Sequence, residues 1–305
     1  RSFKTIRDKE LISFGKNEAY IGAELMIGEL EKFTEVKLEA DKPKRIRVNK
    51  IELKSYKELN TGLKVVVFSP DDLKLVKEGP SNRRNYLDSS ISQLKPVYRH
   101  NLSRYYKALL QRNNILKFQK YSDETSELLE VFDLQLARLG TLILMDREQY
   151  IKRILREAEE LHRTITSGRE KLDIVYVTNI PKGESLLEIE KKYLEDLRLC
   201  RKKDIELKIT EIGPHRDDFI PYINGKDSRT YASQGQQRSL VLTLKLSEVR
   251  ILKKETGYYP VLLMDDVYSE LDKERRGFLT KLFSEMQTFI TVTDAVEIDS
   301  LKEFN

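Results

Sequence analysis

Two stretches of this chain carry residue types that could act on a nucleotide. The first is Tyr231-Ala232-Ser233-Gln234-Gly235-Gln236-Gln237-Arg238, a small-residue turn ahead of a helical pattern. Amides at a helix start point outward and carry the positive end of the helix dipole, so they can grip phosphate. Gly235 permits close backbone approach, and Ser233 adds a hydroxyl donor. The same residues also fit an ordinary capping box, with Ser233 answered by Gln236 three positions on. The second stretch is Val261-Leu262-Leu263-Met264-Asp265-Asp266, an apolar strand pattern ending in two carboxylates. Acids at the carboxyl edge of a buried strand sit where open α/β sheets bind ligands. Asp265 could hold a hydrated magnesium ion, and Asp266 could orient or deprotonate a water. Alternatively the pair simply caps the next turn.

Further polar groups follow in order. Ser269-Glu270-Leu271-Asp272 is an acidic turn just after the carboxylates, placed to sense a partner subunit. Thr293-Asp294 closes the next apolar run, Thr288 to Val292. A phosphate-gripping turn followed by a metal-bearing strand describes half of a nucleotide-hydrolysing site. A Gly-x-x-x-x-Gly-Lys-Ser/Thr loop, the usual other half, occurs nowhere between Arg1 and Asn305.

The elements that must position these groups divide into three textures. Glu18 to Ile27, Phe33 to Leu38 and Lys44 to Leu53 alternate apolar and polar residues and predict strands. In the third, Ile46 and Val48 face inward, with Ile51 and Leu53 after a slip, while Arg45, Arg47 and Lys50 face out. Lys64 to Phe68 predicts a fully buried strand, broken by Ser69-Pro70-Asp71-Asp72, which caps a helix. From about Asn82 to Lys203 the pattern is helical. Leu128, Leu129, Phe132, Leu136 and Leu139 form one stripe; Ile151, Ile154, Leu155, Ala158 and Leu161 form another. Leu172 to Val177 predicts a strand inside this block, and Ser185 to Arg201 a further helix. The last part returns to α/β. Glu206 to Ile212 and Asp218 to Ile223 predict strands, with a hairpin-type turn at Asn224-Gly225. Leu240 to Lys253 and Lys273 to Met286 predict helices around the strand Pro260 to Met264. The expected fold class is α/β, a mixed sheet with flanking helices. The expected domains are 1–81 with 204–305 as a discontinuous head, and 82–203 as an inserted, mainly helical arm.

Composition narrows the function classes. A chain of 305 residues can bury a sizeable core. One cysteine excludes an internal disulfide and suits a reducing, cytoplasmic setting. One cysteine and three scattered histidines make a poor zinc set. No apolar run is long enough to span a bilayer. From Lys74 to Lys117 there are ten Lys/Arg and two Asp/Glu. Such a run is either a solvated face or an electrostatic footprint for nucleic acid. On the second reading, Arg45, Arg47 and Lys50 on a strand face, with Arg83 and Arg84, make sequence-independent phosphate contacts.

In order and spacing, these motifs resemble the ABC-type ATPases of the chromosome-maintenance class. Ala232 to Gln236 resembles their signature loop, Val261 to Asp266 the Walker B strand, and Ser269 to Asp272 the D-loop. Thr293-Asp294 stands where many relatives carry a switch histidine. The likeness is closer to the RecF recombination-repair family. Ile212-Gly213-Pro214-His215-Arg216-Asp217-Asp218, Asn224-Gly225-Lys226 and Tyr231 to Arg238 are similar to that family's pattern. So are Phe68 to Leu73, Arg83 to Asp88 and Leu262 to Asp272. Arg1 to Thr5 resembles the segment after the helix that follows the family's Walker A loop, so an N-terminal block carrying that loop is expected to be missing. The resemblance implies an ABC-type ATPase head that uses ATP and Mg2+ and dimerises head to tail in the presence of ATP. Ser233, Gln234, Gly235 and Gln236, with Asp272, Thr293 and Asp294, would serve the nucleotide; Asp265 would serve magnesium and Asp266 catalysis. It also implies a clamp on double-stranded and gapped DNA, working with RecR and RecO to help load RecA. Without the lysine loop, this polypeptide alone is expected to hold ATP poorly. Two other readings share features with this one. A transporter's ATP-binding subunit has the same signature and Walker B patterns but lacks a long helical insertion and cationic arm. A non-enzymatic DNA- or partner-binding scaffold would keep the motifs as relics.

Overall fold

The computed structural model describes residues 7–54, 62–119, 122–266, 275–279 and 285–292. Two compact units divide the chain, residues 1–65 and 66–305.

The first unit is an antiparallel meander. Strands β1 (Glu18–Ile27), β2 (Leu30–Glu39), β3 (Lys42–Val48) and β4 (Ile51–Glu52) follow in order, each paired with the next. The slip expected after Val48 is a two-residue turn. Asn49 and Lys50 both take left-handed φ, 50° and 70°, and reverse the chain into β4. Primed turns of this kind match the strand twist, and Asn is among the residues that enter them readily. Lys50 is therefore a turn residue rather than a strand residue, and Ile51 is exposed rather than facing inward.

The boundary between the units falls after the first residue of β5 (Val65–Phe68), whose Val66 and Phe68 are buried. Ser69 then forms a capping box with Asp72 over a short 3-10 turn, Pro70–Leu73. Helices α1 (Lys74–Lys77), α2 (Pro80–Leu94) and α3 (Pro96–Phe118) follow, and α2 and α3 each start on a proline. Proline suits a first turn, where its missing N–H has no helical partner anyway. Next comes α4 (Asp123–Ile165), capped by Ser122 with two acids in its first turn. Its 43 residues make a rod of about 65 Å. The two apolar stripes read from the sequence lie on this single helix; Leu128 stays exposed while Leu129, Leu136, Ile151 and Ile154 are buried. Strand β6 (Leu172–Val177) leads to α5 (Leu186–Leu199) and α6 (Arg201–Leu207). The strand expected over Glu206 to Ile212 is absent: α6 runs to Leu207, and Lys208 ends it in left-handed geometry, φ 59°. Alternating Ile205, Leu207 and Ile209 imitated a strand, but Leu207 and Ile209 are exposed.

Strands β7 (Asp218–Ile223) and β8 (Lys226–Asp227) complete an antiparallel sheet of order β6-β7-β8, turning at Asn224-Gly225. Then come α7 (Ser228–Tyr231) and α8 (Gln234–Thr256), which is longer at both ends than its apolar core suggested. Strands β9 (Val261–Asp265) and β10 (Thr288–Thr291) are parallel and lie in a sheet of order β10-β9-β5. The five described residues 275–279 between them are helical. Helix α8 is buried along most of its length and packs against α4, so the helical block 82–203 shares one core with 204–305. The domain division expected at 81/82 and 203/204 thus does not coincide with the compact units. The fold class is α/β, as expected.

Candidate functional site

The signature turn sits at the start of α8. Ser233 is the N-cap: its Oγ accepts from the Gln236 amide at 3.3 Å, and the Gln236 side chain accepts from the Ser233 amide at 2.9 Å. The plain capping reading is therefore real. It does not use up the site. The Ser233 hydroxyl keeps its proton to donate, and the Gln234 and Gly235 amides have no partner among the described residues. Ser233, Gln234 and Gly235 are exposed, and Gln236 is half-buried. A side chain built on Gly235 would meet no atom within 4 Å. The result is a cluster of outward donors at the positive end of a 23-residue helix.

The carboxylate pair ends β9. Thr291, at the end of the neighbouring parallel strand, bonds the Asp265 carboxylate and the Asp266 backbone. Its Oγ1 donates to Asp265 Oδ1 at 2.9 Å, while the Asp266 amide reaches Thr291 O at 3.2 Å and lies 3.0 Å from Thr291 Oγ1. Asp266 takes φ 55°, a left-handed geometry that non-glycine residues adopt at a cost. This bend turns its side chain away from the direction the strand would give it. Thr291 was not singled out in the sequence; its place at the end of an apolar strand beside the Walker B pattern was the available signal. Asp272, Thr293 and Asp294 lie outside the described residues.

The cationic residues have different fates. Arg45 and Arg47 are exposed on β3, paired with Glu39 at 2.8 Å and Glu52 at 3.5 Å, and Lys50 is exposed in its turn. Surface pairs like these are weak and exchange readily for other anions. Arg83, expected on DNA, is instead buried. Its guanidinium grips Asp218 through two bonds, 2.6 and 2.9 Å, and donates to Leu75 O and Glu78 O. An arginine buried this deeply among these partners is out of reach of a phosphate backbone, so the expected DNA contact at Arg83 is corrected to a structural role. Arg84 is half-buried and donates to Asp217 O at 2.8 Å.

The stretch Ile212 to Asp218 is likewise scaffold. Arg147 enters it from α4, donating to Pro214 O at 2.6 Å and to both Asp88 oxygens at 2.8 and 3.0 Å. Tyr176 donates to Asp217 Oδ2 at 2.5 Å. Burial pushes the Asp217 carboxyl up, against the pull of those donors. His215 Nε2 donates to Thr210 O at 2.8 Å, which leaves Nδ1 to accept from the Tyr105 hydroxyl at 2.7 Å. Burial of this neutral ring, with Arg216 and Arg84 nearby, lowers its pKa to about 4.

No family model matches the chain. It is similar to the DNA replication and repair protein RecF of Clostridium perfringens, strain SM101, at 41% identity over 305 residues, covering 100% of this chain and 83% of that one. RecF of Clostridium novyi is 43% identical over 298 residues, covering 98% and 81%. Among solved structures, the recombination mediator protein RecF-ATP of the RecFOR pathway superposes with a TM-score of 0.88 at 37% identity, covering 97% of this chain and 80% of that one. Likeness at this level, over essentially the whole sequence and with the same fold, places the chain in the RecF family of DNA replication and repair proteins.

Proposed function

We propose that this chain is an ATP-binding DNA-repair ATPase that closes, as an ATP-dependent head-to-tail homodimer, on double-stranded DNA at single-strand gaps. The observation that carries this reading is the open donor cluster at the start of α8: a phosphate-grade set of amides and a hydroxyl, exposed beside empty space. In the dimer the Ser233 hydroxyl and the Gln234 and Gly235 amides face the nucleotide of the other subunit, with Gln236 holding Ser233 in place. Asp266 orients the attacking water, and Asp265 serves Mg2+ through water. Mg2+ usually keeps its waters and takes one or two carboxylates plus phosphate oxygens, which a carboxylate at the end of a strand can supply. When bound, Mg2+ would neutralise charge on the phosphates, leaving the protein to position and exclude water. Asp272, Thr293 and Asp294 complete the nucleotide contacts in this reading, and Arg45, Arg47, Lys50 and Arg84 contribute phosphate contacts to DNA. RecR and RecO are the partners, and the setting is cytoplasmic. None of the described helices is long and apolar enough to cross a membrane.

The lysine that would reach the β- and γ-phosphates is not in this sequence. The test therefore compares two forms by light scattering with and without ATP: the 305-residue chain, and a form that also carries a Gly-x-x-x-x-Gly-Lys-Ser/Thr block ahead of Arg1. ATP should dimerise only the second, and Ser233→Arg should return it to monomer. A Ser233→Arg form that dimerises like its parent would rule out the signature-turn role.

A further inference from the structure

The buried fate of Arg83 leaves the basic run of the sequence without its expected outlet, and α3 supplies one. Between Asp88 and Asp123 the chain has no carboxylate at all. Helix α3 spans most of that interval. One side of it is core: Tyr98, Tyr105, Leu109, Arg112 and Leu116 recur at helical spacing and are buried. The opposite side carries His100, Arg104, Lys107 and Gln111, again at spacings of four, three and four, and all exposed. Arg104 and Lys107 have no ion-pair partner among the described residues. We propose that this solvent-facing row of α3, centred on Arg104 and Lys107, is a phosphate-contact surface for duplex DNA.

Three features favour that occupant. First, exposed cations without neighbouring carboxylates attract a polyanion and lose little in leaving water-exposed positions for it. Second, the row is rigid. Buried Arg112 clamps the inner side of α3, donating to Asp133 and Asp204, each at 2.6 Å, and to Thr210 at 2.8 Å. A stiff line of charge suits the regular line of phosphates on a duplex. Third, the length fits. From His100 to Gln111 the row rises about 17 Å, about half of the roughly 34 Å of one duplex turn.

This assignment rests on the DNA reading above and relocates its contact. The test is anisotropy of a 20-base-pair duplex between 50 and 200 mM salt. The samples are the parent chain, an Arg104→Ala/Lys107→Ala double variant, and a Lys191→Ala/Lys226→Ala control that removes two exposed lysines from elsewhere. All three should unfold at the same urea concentration. The double variant should bind about tenfold more weakly at 50 mM salt, with its log–log salt slope flatter by about 2, and the control should match the parent. A double variant that matches the parent, an equal loss in the control, or a loss without a change of slope overturns the assignment. So does a loss found on duplex RNA of the same length and absent on DNA. A parent chain that binds no duplex at 50 mM salt instead sinks the DNA reading itself.

Discussion

Two stretches carry the family likeness most closely, Gly213 to Asp218 and Ser233 to Gln236, and the structure uses them in opposite ways. The first is turned inward. Its backbone and acids are held by Arg147, Tyr176, Arg83 and Arg84, and its histidine is locked between Tyr105 and Thr210. The second is turned outward, with donors to spare and space beside them. Polar residues in a recurring motif therefore need not be chemistry. Buried and mutually satisfied, they specify a packing; exposed, they leave their donors to water or to a ligand.

The two glycines break or confirm this contrast most sharply. Gly213 has φ 137°, a region closed to other residues, and a side chain there would lie well inside contact with the hydroxyls of Tyr193 and Tyr105. Gly213→Ala should destabilise the chain by roughly 2–4 kcal/mol, combining backbone strain with overpacking. Gly235→Ala lies in the first turn of α8 with nothing near it. Its unfolding free energy should change by no more than about 0.5 kcal/mol, upward if at all, because alanine is the better helix former. Urea unfolding of both variants decides the matter, and similar losses at the two sites would erase the distinction.

How much of this was legible beforehand follows the range of the interactions. Local signals read well. Alternation marked β1 and β7, Ser69 and Ser233 marked their caps, and the apolar run into Asp265 marked β9. The slip after Val48 was visible, although its cause, a two-residue turn, was not. Arg83 failed as a prediction because its partner, Asp218, lies 135 residues away. Nothing near Arg83 in sequence separates a buried arginine from a phosphate-binding one. Glu206 to Ile212 failed for a related reason. Asp204 anchors that segment to Arg112, 92 residues away, while local apolar alternation pointed to a strand. Charge counting marked a basic run, but telling its exposed residues from its buried ones required the fold.

The inward motif also carries a pH signature that the outward one lacks. His215 is neutral in the fold, with its pKa lowered to about 4 by burial and neighbouring arginines. In the unfolded chain it would titrate near 6.5. Between those values the unfolded state binds a proton that the folded state refuses. This contribution to stability is complete above pH 6.5, falls as pH falls, and is gone by about pH 4, a loss of roughly 3 kcal/mol at most. His215→Gln can still donate to Thr210 O and accept from Tyr105. It should start less stable at pH 7 yet lose less between pH 6.5 and 4 than the parent. Parallel stability curves for the two proteins would show that another group drives the acid loss.

The smallest effect on stability is the most informative about the outward motif, because Ser233 has two roles that one substitution can separate. As an N-cap it should be replaceable by aspartate, which caps a helix about as well and likes its positive end. As a phosphate donor it should not be, since aspartate brings a negative charge and, ionised, has no proton to give. Ser233→Asp should therefore leave the unfolding free energy within about 0.5 kcal/mol of the parent. The same change should abolish ATP-dependent dimerisation in the form carrying the lysine loop. Ser233→Ala should do the reverse in part, losing about 1 kcal/mol of stability as the cap goes while leaving the exposed amides able to meet phosphate. If Ser233→Asp dimerises normally, the turn is a cap and nothing more, and the outward stretch joins the inward one as scaffold.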